Sequence, residues 1–209
     1  MAERAHPDDP GFGSKWKFRM RRGIVPWLSH NVSPFRKAFE ARYREAAALS
    51  KGLDVLDIPC GMGWGTSYLS GAKSLIGIDI DEQSIHEAIE CYGKKADFRV
   101  GSMAKLPVDD QSLDFIVCLE GIEHVPPEVG KSFLLESVRA LRANGRIYIS
   151  SPYRVDGQHS GNPYHIKEYQ PDELLAILEP HFIIERRWER DVSDLRVMYI
   201  IGSKRQSDA

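Results

Sequence analysis

The sequence predicts an α/β chain: a mostly parallel sheet with helices on both faces, closed by an antiparallel hairpin. Three observations carry that prediction. Five short β-prone runs, 53–58 (LDVLDI), 74–80 (SLIGIDI), 97–100 (DFRV), 113–119 (LDFIVCL) and 146–150 (RIYIS), are separated mostly by helix-compatible segments. Two more runs, near 181 and near 197, are joined only by a charged turn, which makes them a terminal hairpin. The 209 residues, 42% hydrophobic, are enough for one α/β domain with a packed core that needs neither disulfides nor metal.

The elements follow in order. Residues 1–14, with Pro7, Pro10, Gly11 and Gly13, have no periodicity and read as a mobile tail. Ser33 and Pro34 have the cap and first-turn chemistry of a helix start. Phe35, Ala38, Phe39, Tyr43 and Ala46 then recur at helical steps, giving an amphipathic helix that ends near Gly52. Residues 126–145 form the clearest helix, with Phe133, Leu134, Val138 and Leu141 on one face and Gly145 as its stop. A polar loop rich in Pro, Gly and His runs from 151 to 169, and Pro171 opens one more helix before the hairpin.

Charge and cysteine usage exclude several classes. The net charge of −2 conceals a basic stretch from Lys15 to Arg44, where Glu40 is the sole acid. With Trp16, Phe18, Trp27 and Phe35 among its cations, that stretch has the composition of a nucleic-acid or membrane surface, or of a cap laid over a ligand. The cap is favoured, because its helix feeds straight into the first strand. No run approaches the roughly 20 apolar residues of a membrane span, and the start MAERAHPDDPG lacks signal-peptide regions, so a cytoplasmic protein is expected. Cys60, Cys91 and Cys118 show no paired or zinc-finger spacing, and no Asp/His ligand set has convincing spacing, so no metal is expected.

The most informative stretch is VLDIPCGMGWG, 55–65, at the first strand–turn junction, where an α/β sheet of this kind binds its ligand. Gly61, Gly63 and Gly65 permit a close backbone approach. A dinucleotide fingerprint requires glycine at position 66, which is Thr66, and no GxxxxGK[ST] loop exists. Asp57, at the strand end, repels phosphate and suits a positively charged ligand.

These residues resemble the class I S-adenosylmethionine (SAM) dependent methyltransferases, from about Lys51 to Ser151. DIPCGMG (57–63) is similar to their first motif, with Pro59 where glycine or alanine is usual. IGIDI (76–80) is similar to the second, RVGSMAKLP (99–107) to the third, LDFIVCLEGIEHV (113–125) to the fourth and LRANGRIYISSP (141–152) to the fifth. The resemblance implies a Rossmann-like, seven-stranded fold and a single methyltransferase domain over 1–209, with an N-terminal helical cap at 15–50, a SAM-binding core at 51–203 and an acceptor loop at 151–169. It implies cofactor contacts from Asp57, Pro59, Gly61 and Gly63 and from Asp79 on the ribose hydroxyls. Ile80 and Met103 would lie against the adenine, with Ser102 in place of the usual aspartate, and Cys118 and Glu120 in the fourth motif. Arg42 and Tyr43 are expected near the methionine carboxylate, and S-adenosylhomocysteine is the product implied.

A sulfonium cofactor brings an activated methyl group, so the chain's task is to orient an acceptor and remove its proton. His165 is the first candidate base because its loop follows the fifth strand, with His124 and His159 behind it. The segment 162–169 (NPYHIKEY) resembles small bacterial methyltransferases associated with glycan and polysaccharide biosynthesis, which implies O-methylation of a sugar or glycan hydroxyl. Alternatives are a quinone, another secondary metabolite, an amino-sugar nitrogen, or non-catalytic SAM binding. Nucleic acid is not the expected partner, since the AsnProProTyr-type signature of base-modifying relatives is absent.

Overall fold

A computed structural model describes residues 34–206, with side chains from Arg36 onward. The tail expected at 1–14, the basic and aromatic residues to 33 including Trp16, Phe18 and Trp27, the cap at Ser33 and the side chain of Phe35 lie outside the described residues. Four helices, α1 (Pro34–Leu49), α2 (Glu82–Tyr92), α3 (Pro127–Ala140) and α4 (Pro171–Leu178), accompany seven strands among the described residues. The strands are β1 (Asp54–Asp57), β2 (Ser74–Asp79), β3 (Asp97–Val100), β4 (Leu113–Leu119), β5 (Leu141–Tyr153), β6 (Phe182–Val192) and β7 (Leu195–Lys204).

They form one sheet in the order β3-β2-β1-β4-β5-β7-β6. β1 pairs in parallel with β2 on one side and β4 on the other. β7 runs antiparallel to both β5 and β6, as the terminal hairpin requires. Side chains alternate between the two faces along the central strands, and both faces are apolar. Leu56, Ile116, Ile147, Ile149 and Ile200 face Phe133 and Leu134 of α3 and Leu174 and Leu178 of α4. Val55, Phe115, Val117, Tyr148, Tyr199 and Ile201 face Phe39, Tyr43 and Ala46 of α1. No described helix is long and apolar enough to cross a membrane.

One sequence expectation is corrected. α3 ends at Ala140 rather than at Gly145, because Leu141 turns extended (φ −74°, ψ 138°) and pairs with Leu113 in the sheet. Gly145 is therefore inside β5, where an added Cβ would stand 2.8 Å from the Leu141 side chain. The link from β1 to β2 holds a single 3₁₀ turn, Thr66–Leu69, in place of a full crossover helix. α1 supplies the missing cover: Phe39 stacks on Trp64 at 4.4 Å, nearly parallel at 10°.

Candidate active site

In an open α/β sheet, ligands settle beyond the carboxyl ends of the strands where the strand order reverses. Here the reversal lies between β1 and β4, and a cavity of about 1140 Å³ opens there. Its walls take Pro59 and Gly61 from after β1, Ile80 from after β2, and Glu120 and Gly121 from after β4.

The three glycines divide by role. Gly61 has φ +52° and an added Cβ would meet nothing within 4 Å, so it presents bare backbone to the cavity. Gly63, at φ +75°, sits 2.7 Å from the Phe98 ring by the same measure, and Gly65 sits 2.2 Å from the Tyr43 ring. Both are cleared for packing within the protein, and Gly65 lines the cavity as well. Gly121 serves similarly, because a Cβ there would lie 2.2 Å from Pro59.

Asp79 ends β2 on the cavity wall, and its carboxylate accepts the amides of Gly61 (2.8 Å) and Asp81 (2.9 Å). This fixes the carboxylate while leaving each oxygen a lone pair for further donors. Asp81 in turn caps α2 by accepting from the Ser84 amide at 2.8 Å. Beside Asp79, Ile80 is 72% exposed, an apolar side chain held open at the cavity mouth. Ser102 and Met103 line the same wall, with the Ser102 hydroxyl turned to the Ala104 amide at 3.1 Å.

Asp57 does not face the cavity. It is fully buried, accepting the Thr66 hydroxyl at 2.6 Å and the Tyr43 hydroxyl at 3.2 Å. Burial pushes its carboxyl up to about 7, against the lowering effect of those two donors. The expected attraction of Asp57 for a cationic ligand is thus replaced by a structural role, tying the glycine turn to α1. Cys118 is likewise fully buried in the core, and burial raises its thiol. Arg42 and Tyr43 do line the cavity, but the Arg42 guanidinium is paired with Glu120 and lies 4.9 Å over the Phe39 ring.

The opposite end of the cavity collects histidines. His165 Nδ1 is 2.5 Å from Glu168 Oε1, and Glu168 also takes the Ser160 hydroxyl and amide. Burial works to raise the Glu168 carboxyl, yet the Ser160 and His165 contacts hold it below the usual carboxylate value. His124 Nδ1 lies 3.0 Å from the Tyr164 carbonyl, and the two imidazoles meet edge to face at 5.1 Å. His159 is outside the cavity lining, its Nε2 at 3.0 Å from the His165 carbonyl. Glu120, Glu123 and His124, marked in the sequence by their place just past a strand end, all line the cavity, and Glu123 is fully buried there. Two contributions escaped the sequence: Trp64, and Val192, Leu195 and Val197 from the terminal hairpin, which carried no signal.

This sheet order, with a cavity at the reversal and a fixed acidic residue at the end of the second strand, defines the Rossmann-like proteins that bind a nucleoside-bearing cofactor. Within them, this chain is similar to the class I SAM-dependent methyltransferases. Residues 56–149 match the family described as "Methyltransferase domain". A probable SAM-dependent methyltransferase of Mycolicibacterium smegmatis is 33% identical over 160 residues. That match covers 74% of this chain and 61% of the relative, so the chain spans less than two thirds of that protein's length. A ubiquinone biosynthesis O-methyltransferase of Idiomarina loihiensis is 28% identical over 173 residues, 72% of this chain and 68% of that one. Among solved structures, the N-methyltransferase NodS of Bradyrhizobium japonicum, in complex with S-adenosyl-L-homocysteine, shares the fold with a TM-score of 0.70 at 14% identity, covering 95% and 100% of the two chains.

Proposed function

We propose that this chain transfers the methyl group of SAM to an oxygen of a small acceptor. The observation that carries this reading is one continuous cavity, with Gly61, Asp79 and Ile80 at one end and His124 and His165 at the other. The first end fits an adenosine: bare backbone at Gly61, a carboxylate with spare lone pairs at Asp79 for the ribose hydroxyls, and exposed Ile80 with Met103 for the adenine face. Pro59 and Ser102 complete that end, while Arg42, Tyr43 and Glu120 stand towards the methionine portion. When bound, the cofactor supplies a methyl group on a sulfonium, which leaves as S-adenosylhomocysteine once the methyl has passed to the acceptor oxygen.

The chain's own residues orient the acceptor and handle its proton. With the Nδ1 proton of His165 directed at Glu168, Nε2 carries the lone pair on the cavity side, where the Asn162 side-chain amide, 3.0 Å away, donates to it and gives way to an acceptor. Acting through side chains alone, that nitrogen takes the hydroxyl proton, a contribution of about 10²–10⁴-fold. His124 is the second candidate, and His159, outside the cavity, is the third.

Val125, Val129, Val192, Leu195 and Val197 make the acceptor wall largely apolar. A hydroxyl on an apolar body, of the quinone kind named for the Idiomarina relative, fits that wall best. A sugar or glycan hydroxyl is the second reading, favoured by Asn162 and Tyr164 in the same wall.

Calorimetry with SAM and S-adenosylhomocysteine, followed by turnover on catechols, hydroquinones, free sugars and nucleotide sugars, tests the proposal. Asp79→Ala is expected to weaken cofactor binding at least tenfold. His165→Ala is expected to lose turnover while keeping cofactor affinity. Near-normal affinity in the first variant removes the cofactor assignment; cofactor binding without turnover on any acceptor favours a non-catalytic binder.

A further inference from the structure

Glu123 and His124 lie in the short turn Ile122–His124 after β4, and His165 lies some forty positions on, in the loop after β5. The fold brings one ligand-capable atom of each within 4.8 Å of the other two. All three side chains line the cavity.

The chemistry of the trio is asymmetric in a telling way. Glu123 is fully buried, and among the described residues neither of its carboxylate oxygens has a hydrogen-bond partner within bonding distance. Ser151 is a polar neighbour, and His124 Nε2 stands 4.0 Å from Oε1. A buried carboxyl left in that state is costly unless something else satisfies it.

Both imidazoles, by contrast, are oriented through Nδ1. His124 meets the Tyr164 carbonyl at 3.0 Å and His165 meets the Glu168 carboxylate at 2.5 Å. Each acceptor fixes the proton on Nδ1 and places the lone pair on Nε2, the arrangement that supports metal-bound histidines. The Asn162 side-chain amide, 3.0 Å from His165 Nε2, donates to that same lone pair. The frame is tied together as well, since the Glu123 carbonyl accepts the amides of Ile166 (2.7 Å) and Lys167 (3.1 Å).

We propose that Glu123, His124 Nε2 and His165 Nε2 form a site for a divalent first-row transition ion of the zinc class. Two imidazoles and one carboxylate suit such an ion and leave a position for an acceptor oxygen. Ligand bonds of about 2.0–2.1 Å require ligand atoms roughly 3.3 Å apart, so separations that now reach up to 4.8 Å close by up to about 1.5 Å and the Asn162 amide gives way. The sequence expectation of no metal ligand set failed to see this trio because His165 is remote in the chain.

The use of the ion rests on the function proposed above; its binding does not. An acceptor hydroxyl that coordinates the ion is acidified and releases its proton to solvent, and the oxygen lone pair then attacks the methyl carbon. The carbon–sulfur bond breaks with its electron pair passing to sulfur. In that form His165 is a ligand instead of a base.

The test reads the ion directly. Chelator-treated protein is titrated with Co²⁺, followed by its visible absorption, and with Zn²⁺ by calorimetry, without acceptor or SAM. One equivalent of each is expected to bind, with at least a tenfold loss of affinity in both Glu123→Gln and His165→Asn. Binding of S-adenosylhomocysteine within twofold of wild type shows that each variant is folded and separates this result from the cofactor assignment. If Glu123→Gln fails that control, His124→Asn replaces it. Absence of saturable Co²⁺ or Zn²⁺ binding by the wild-type protein, or undiminished binding in the variants, overturns the site.

Discussion

Asp57 illustrates how one residue can carry two incompatible demands. As a strand-end carboxyl it accepts from Thr66 and Tyr43, and as a fully buried group it resists ionisation, which lifts it to about 7. The unfolded chain releases the same proton near the ordinary carboxylate value of about 3.9. Between those values the native state holds a proton that the unfolded state has lost, so raising the pH destabilises the fold through this group. Its stabilising effect is complete below the unfolded value and is lost as pH climbs through about 7. Asp57→Asn removes the titration. The melting temperature of the variant is therefore expected to gain on that of wild type between pH 5 and pH 8. A constant difference across that range in calorimetric scans refutes this account.

At the scale of elements, the turn after β1 works because each glycine answers a different neighbour. Gly65 has φ −60°, which alanine adopts freely, so its only obstacle is the Tyr43 ring of α1. Gly65→Ala is expected to cost about 1–3 kcal/mol by forcing that ring away from Asp57. Gly61 is the reverse case, with open space but a left-handed backbone, so Gly61→Ala costs about 1–2 kcal/mol in strain alone. Urea unfolding measures both losses, and cofactor titration distinguishes them. The Gly61 variant is expected to bind S-adenosylhomocysteine several-fold more weakly at protein concentrations where both variants are folded. Equal binding by the two would mean that the ligand does not pass over Gly61.

For the whole molecule, stability and ligand binding draw on different layers. Phe182 of β6 is fully buried against the α3 and α4 side of the sheet and is absent from the cavity wall. Phe182→Ala is expected to cost about 3–5 kcal/mol, while affinity for the cofactor stays within twofold. A matched loss of affinity would show that the sheet transmits the cavity's repacking to the site. The terminal hairpin has both roles, since Met198 and Ile200 face the core while Val192, Leu195 and Val197 reach the cavity wall.

The sequence by itself determined the alternation of strands and helices, the hairpin, the glycine turn and the acid at the end of β2. All of these rest on local rules: side-chain period, turn chemistry and position at a strand end. Where the local rules ran out, the readings shifted: Gly145 looked like a helix stop until the pairing of Leu141 with Leu113 claimed it for β5. Only tertiary structure decided that Asp57 is sealed away from the cavity, that two of three glycines serve packing, and that Glu123 and His124 stand against His165. The physical reason is the same in each case. Burial, clearance and ligand geometry are properties of atoms brought together from distant parts of the chain, and no spacing along the chain encodes them.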